Sequence, residues 1–324
     1  MISFFRKIRN IPHHIKSNIR RILNQRHRYD FPSENNGWKK ICKSPIWGNK
    51  ETGTMFDPFI FEDGKSFKMV VSARKTKSIG LIESKDGIHW GYYKTILECA
   101  PQKWDDNVNR GCIVKHNSEY FLWYTGQKGN TSSIGLAKSY DGQTYTRYSE
   151  GPIMFADQNH EGTSIMNPCV LWNRIKQLFQ MWYAAGENYE PDVICYAESI
   201  DGVNWTKKDA PVLKAIVDHE WEKYKVGGCS VVLELDGSYT MYYIGYQNVD
   251  VARICYAVSK DGIHWTRSDN NLIISPSRAS WDADATYKPA YFSIGNNAFI
   301  CYNGRKKHSE YIGIILKKTD NNIK

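Results

Sequence analysis

One hairpin signature occurs four times: Ser-x-Asp-Gly-x-x-aromatic, at Ser84/Asp86/Gly87/Trp90, Ser139/Asp141/Gly142/Tyr145, Ser199/Asp201/Gly202/Trp205 and Ser259/Asp261/Gly262/Trp265. The aspartates stand 55, 60 and 60 residues apart. Such a period identifies an array of similar supersecondary units and constrains the fold more than any local propensity. Asp-Gly is a strong turn signal between strands. Each copy therefore marks a hairpin, and its aromatic residue can pack on the neighbouring unit.

The repeat extends upstream. Each hairpin follows an Ile-led triplet at 79–81, 134–136, 194–196 and 254–256, and a fifth triplet stands at 312–314. Before these lie apolar strands at 67–71, 120–124, 179–183, 239–243 and 299–302. Before those come Asp57-Pro58-Phe59, Arg110-Gly111-Cys112, Asn167-Pro168-Cys169, Gly227-Gly228-Cys229 and Lys288-Pro289-Ala290. The fifth unit has no fourth strand after it. The N-terminal stretch from Asn36 to Lys40, followed by Ser44-Pro45-Ile46, resembles the stretch from Asn204 to Lys208, followed by Ala210-Pro211-Val212. An N-terminal strand completing the last unit closes a ring, and radial repetition of four-stranded sheets is the β-propeller. The predicted fold is all-β: a five-bladed β-propeller over residues 36–318, preceded by a basic amphipathic segment over residues 1–30. A linear solenoid would not need the displaced strand.

No linker rich in Pro, Gly or Ser separates the units, so one domain is expected for the array. Cys112, Cys169 and Cys229 take equivalent places in three units and are expected to lie apart. No zinc-ligand spacing appears. The cysteines read as small buried apolar residues in a reducing, cytoplasmic compartment, and neither metal nor cofactor is expected.

The first thirty residues differ from the rest. They carry eight Lys/Arg and one acid, hence +7 of the chain's +9. Ile8, Ile11, Ile15, Ile19, Ile22 and Leu23 recur at helical spacing. Pro12 places the start of a continuous helix at or after it. A basic amphipathic helix reads as a segment lying on an anionic membrane surface, here the inner face. A docked or disordered tail is the plainer reading. Nucleic acid is not expected, because the remaining residues show little basic excess.

In a propeller the first strands line the central channel, and the second strands return to the same face. The first-strand ring is Asp57, Arg110, Asn167, Gly227 and Lys288, and the second-strand ring is Arg74, Gln127, Glu187, Gln247 and Arg305. Equivalent positions filled by different polar residues are not held by a shared packing role, so these rings are the candidate site. Arg74, Arg110, Lys288 and Arg305 should converge there, with Lys225 nearby. Such a set suits phosphate or carboxylate binding.

Phe56-Asp57-Pro58-Phe59, together with the Ser-x-Asp-Gly-x-x-Trp hairpins, resembles the five-bladed propeller glycoside hydrolases of families 32, 43, 68 and 130. In families 32, 43 and 68 the resemblance implies that Asp57 is nucleophile or general base. Two further acids of that pattern are missing: Asn167 stands in the third unit, and Val226-Gly227-Gly228 in the fourth. Glycoside cleavage normally needs a second carboxylate. Asp105, Glu222 and Asp282 each follow a Trp at a repeating place and read as structural. Glu161 and Glu187 stand outside that pattern and are the candidates, expected on the funnel face beside Asn167. The phosphate-using enzymes of family 130 imply one essential Asp and a basic pocket, which tolerates the missing acids.

The expected function is that of a carbohydrate-active enzyme cleaving or forming a glycosidic linkage, as hydrolase, phosphorylase or transferase. The substrate expected is an anionic or phosphate-bearing carbohydrate in polysaccharide metabolism. The alternatives are a non-catalytic glycan- or protein-binding propeller, and transfer of a phosphorylated group.

Overall fold

The structure, a computed structural model, describes residues 13–48, 53–187 and 191–318. The first twelve residues of the basic segment lie outside the described residues. Helix α1 spans His13–Gln25, and a 3-10 turn (Arg26–Tyr29) follows it. Ile19, Ile22 and Leu23 on α1 are 44%, 68% and 50% exposed. No helix among the described residues is long and apolar enough to cross a membrane.

The rest is strand. After β1 (Lys39–Lys40) comes a sheet of β2 (Met55–Asp63), β3 (Ser66–Ala73), β4 (Ser78–Ser84) and β5 (Lys94–Glu98). The second contains β6 (Asn107–His116), β7 (Glu119–Lys128), β8 (Thr131–Ser139) and β9 (Thr146–Arg147). The third contains β10 (Ser164–Asn173), β11 (Leu178–Gly186), β12 (Pro191–Ser199) and β13 (Thr206–Lys207). A single parallel bridge, Ser164 to Ser132, joins these two. The fourth contains β14 (Lys225–Leu233), β15 (Tyr239–Asn248), β16 (Val251–Ser259) and β17 (Trp265–Thr266), with β18 (Leu272–Ile274) also on β16. The last runs β19 (Ala285–Ile294), β20 (Asn297–Lys306) and β21 (Ser309–Lys318), and β1 pairs antiparallel with β21 through Lys39–Leu316 and Lys40–Ile315.

The hairpin motif works through its side chains. Ser199 Oγ accepts the Gly202 N–H at 2.8 Å, and Asp201 Oδ1 accepts the amides of Val203 and Asn204 at 2.8 Å each. Asp86, Asp141 and Asp261 repeat this capture of two amides. The Gly202 φ of 74° is in the left-handed region where glycine is favoured. Trp123 Nε1 donates to the Gly202 carbonyl at 2.9 Å, and Trp182 Nε1 to that of Gly262 at 2.8 Å, so these two turns lock onto the preceding unit. The aromatic residue of the motif reaches the same neighbour: Trp205 lies edge-on to Trp123, and Trp265 to Trp182.

A buried acid anchors four of the sheets. Tyr124, Tyr183, Tyr243 and Tyr302, one on each second strand, donate to Asp105, Glu161, Glu222 and Asp282 at 3.1, 2.7, 2.5 and 3.0 Å. All four acids are fully buried. A base in or beside the outer strand completes each set. Arg147 lies 2.7 Å from Asp105, Lys207 2.8 Å from Glu161, Arg267 3.8 Å from Glu222 and Lys40 2.5 Å from Asp282. Lys40 belongs to β1, so the N-terminal strand supplies to the last sheet what β9 and β13 supply to theirs.

Two expectations need correction here. The residue with left-handed backbone in the fourth unit is Gly228 (φ 35°), matching Asp57 (55°), Arg110 (57°), Asn167 (56°) and Lys288 (49°). The strand bulge there is one residue later than the Gly-Gly-Cys spelling suggests, so Gly228 and not Gly227 belongs to the ring. Cys169 and Cys229 are also not far apart. The Val231 N–H, two residues after Cys229, donates to Cys169 Sγ at 3.3 Å, so the first strands of the third and fourth units lie side by side. All eight thiols are free.

The N-terminal segment is tied to the sheets. Asn24 Nδ2 donates to Asp250 Oδ2 at 2.9 Å, Arg28 pairs with Asp284, and Phe31 packs edge-on against Trp221. The guanidinium of Arg253, fully buried, donates to the His27 carbonyl at 2.9 Å. Burial lowers its pKa to about 10.

Candidate functional site

The left-handed bulges lie at the start of the first strands, and a side chain from the preceding unit holds several of them. The Asp57 N–H donates to Asn303 Oδ1 at 2.8 Å, the Arg110 N–H to Ser72 Oγ at 2.8 Å, and the Asn167 N–H to Thr125 Oγ1 at 3.0 Å. A positive φ is costly for Arg and Lys. Because it recurs in all five units, it belongs to the repeat, and in four of them it aims a polar side chain, that of Asp57, Arg110, Asn167 or Lys288.

A cavity of about 240 Å³ opens there. Asp57, Arg74, Arg110, Asn167 and Arg305 all line it, as the ring argument anticipated. Asp57 is 5% exposed, and its Oδ2 lies 3.4 Å from Arg110 Nε. Among the described residues Asp57 Oδ2, Arg110 Nε and Asn167 Oδ1 are buried without a hydrogen-bond partner. Buried polar atoms are normally satisfied; Asp57 Oδ2 and Arg110 Nε face each other as a loose ion pair, and Asn167 Oδ1 is left for a polar ligand. Burial pushes the Asp57 carboxyl above its ordinary value, Arg110 and then Lys288 oppose that shift, and Glu310 adds to it. Lys288 is 2% exposed and does not line the cavity; its Nζ donates to the Cys229 carbonyl at 3.2 Å.

Glu310 is the residue that sequence reasoning missed. It lines the same cavity, is 8% exposed, and accepts from Arg74 Nη2 at 2.5 Å and from the Tyr287 hydroxyl. It stands two residues before the Ile312 triplet, where the other units carry Lys77, Ser132, Asp192 and Ala252. The same divergence that singled out the two rings holds at this third-strand position.

The remaining candidates lie elsewhere. Glu161 is not on the funnel face: its carboxylate is fully buried between Tyr183, Lys207 and the Asp157 and Gln158 amides. It is the third unit's counterpart of Asp105, and His160 in place of the usual Trp hid that equivalence. Glu187 is exposed and sits 3.4 Å from Lys225, which also pairs with Asp192 at 2.9 Å; neither Glu187 nor Lys225 lines the cavity. Gln127 accepts from Asn107 and Asn109, and Gln247 accepts from Arg253, so their carbonyls are engaged within the sheets. Among the described residues no cluster of three His, Cys, Asp or Glu side chains is placed to hold a metal ion.

Residues 80–226 match the sequence model of the glycosyl hydrolases family 32 N-terminal domain. An uncharacterized protein of Mycobacterium tuberculosis is 29% identical over 213 residues, covering 62% of this chain and 68% of that one. A 1,2-beta-oligomannan phosphorylase of Thermoanaerobacter sp. is 28% identical over 132 residues, 37% of this chain and 43% of that one. Among solved structures, a glycosyl hydrolase from Bacteroides ovatus superposes with a TM-score of 0.71 at 14% identity, covering 90% of this chain and 98% of that one. A structure from the GH130 family of mannoside phosphorylases superposes with a TM-score of 0.66 at 16% identity, covering 90% and 91%. The chain therefore shares the fold of β-propeller glycoside hydrolases and is similar to the family 32 N-terminal domain over residues 80–226.

Proposed function

We propose that the chain is a carbohydrate-active enzyme that cleaves or forms a glycosidic linkage in the cavity between Asp57 and Glu310. Residues 36–318 form a closed five-bladed propeller, with β1 as the outer strand of the last blade. The observation carrying the functional reading is the pair of buried carboxylates on one small cavity, set among Arg74, Arg110 and Arg305. Asp57 exchanges the proton with the glycosidic oxygen, because its buried carboxyl holds a proton more readily than an exposed one. Glu310 is the second carboxylate, oriented by Arg74 and Tyr287. The three arginines favour an anionic sugar or phosphate as reactant. The relationship to an oligomannan phosphorylase makes mannosides the first substrates to try. The N-terminal segment is peripheral as well, its exposed Ile19, Ile22 and Leu23 lying on an anionic membrane surface at the cytoplasmic face.

The test is a turnover assay on manno-oligosaccharides and other oligosaccharides, with and without phosphate, and on sugar phosphates in the synthetic direction. Asp57→Asn and Glu310→Gln should each lower the rate by about 10²–10⁴-fold with the fold intact. Wild-type rates in Asp57→Asn would reject the assignment.

A further inference from the structure

A second cavity, of about 710 Å³, lies between the N-terminal segment and the β20–β21 turn. Arg21 and Arg28 line it from one side, and Arg305, Lys306 and Lys307 from the other. Its two carboxylates are already engaged. Asp284 pairs with Arg28 and accepts the Lys307 amide, and Asp250 accepts Asn24. Among the described residues Arg21, Arg305, Lys306 and Lys307 have no carboxylate partner. Five cations against two carboxylates leave an excess of three positive charges around one basin, which focuses a positive potential that draws an anion.

The basin adjoins the site. Asp250 and Arg305 line both this cavity and the one holding Asp57 and Glu310. The Arg305 guanidinium is anchored by one bond, Nη2 to the Asp250 carbonyl at 3.1 Å, which leaves the rest of its donor fork for a ligand.

We infer that this basin is an anion subsite that takes a phosphate group, or a dianion of similar charge, carried on the molecule whose sugar lies at Asp57. The inference rests on the proposed reading of the funnel as a sugar site. It gives the N-terminal segment a part in substrate binding, because Arg21 and Arg28 form one wall. Several convergent cations with forked donors match a phosphate better than a single carboxylate.

Calorimetric titration of the full chain with inorganic phosphate and with mannose 1-phosphate tests this without requiring turnover. A triple variant, Arg21→Gln with Lys306→Gln and Lys307→Gln, changes only exposed side chains. It should weaken both probes by about tenfold or more, in a salt-dependent way, and leave binding of neutral mannose unchanged. Asp57→Asn should keep the phosphate affinity, so failure of the catalytic assignment and failure of the subsite give different results. Equal affinity in wild type and triple variant overturns the subsite, as does a wild type that binds neither probe. If phosphatidic acid vesicles bind through these three residues while mannose 1-phosphate does not, the basin is a lipid-headgroup contact and the inference is wrong.

Discussion

Replacing Lys40 by Met tests how the N-terminal strand is fixed. Lys40 Nζ donates to Asp282 Oδ2 at 2.5 Å, to the Ser275 carbonyl at 2.7 Å and to Ser277 Oγ at 2.8 Å. Its side chain is 12% exposed and that of Asp282 fully buried. Burial lowers the Lys40 pKa, and Asp282 opposes that shift. Lys40→Met keeps the stem volume but leaves Asp282 with the Tyr302 hydroxyl as its remaining partner. Removing one member of a buried pair costs about 3–5 kcal/mol. With an unfolding entropy near 0.6 kcal/mol/K for roughly 300 residues, Tm should fall by about 5–8 °C. Lys39→Met is the control, because Lys39 is 69% exposed and pairs only at the surface, so a change within about 0.5 kcal/mol is expected. Adding Asp282→Asn to Lys40→Met should restore most of the loss by removing the stranded charge. Calorimetric or circular-dichroism melts of the four proteins suffice. Equal Tm values for Lys40→Met and Lys39→Met would refute a stabilising role for β1 in the last sheet.

Three further outcomes are expected. Asp57→Asn should raise Tm at neutral pH: a raised carboxyl pKa favours the folded state below the unfolded value and loses that contribution as pH rises through the folded value, so the gain should vanish in acid melts. Glu161→Gln should lower Tm and leave the rate of the folded enzyme unchanged, since Glu161 serves Tyr183 and Lys207 and not the cavity; a selective loss of rate would restore it as a catalytic candidate. Ile19→Ser with Ile22→Ser and Leu23→Ser should abolish sedimentation with anionic vesicles, which salt should also weaken, and retained sedimentation would remove the membrane reading.

The parts legible in the sequence are those written as short local code. Ser199, Asp201 and Gly202 make their turn with bonds spanning two or three residues, so the motif shows in the sequence and recurs with the period. Asp57, Arg74, Arg110, Asn167 and Arg305 meet at one cavity because equivalent strand ends in a repeat share one face, which the repeat alignment makes visible. What stayed hidden depends on long-range partners. Glu161 reads as an ordinary loop acid until Tyr183 and Lys207, 22 and 46 residues away, are seen to close over it. Glu310 reaches the cavity from a third strand, an element that the ring argument did not search. In the fourth unit a one-residue shift of the bulge moved the left-handed position to Gly228, a shift that no local signal marks.

The most direct measurement is a crystal structure of Asp57→Asn soaked with an oligosaccharide or sugar phosphate that the wild-type protein turns over. The account predicts a sugar in the cavity, its glycosidic oxygen within about 3 Å of the substituted side chain, with Glu310 on the same ring. A sugar bound outside the cavity, with Asp57 and Glu310 facing solvent, would contradict it.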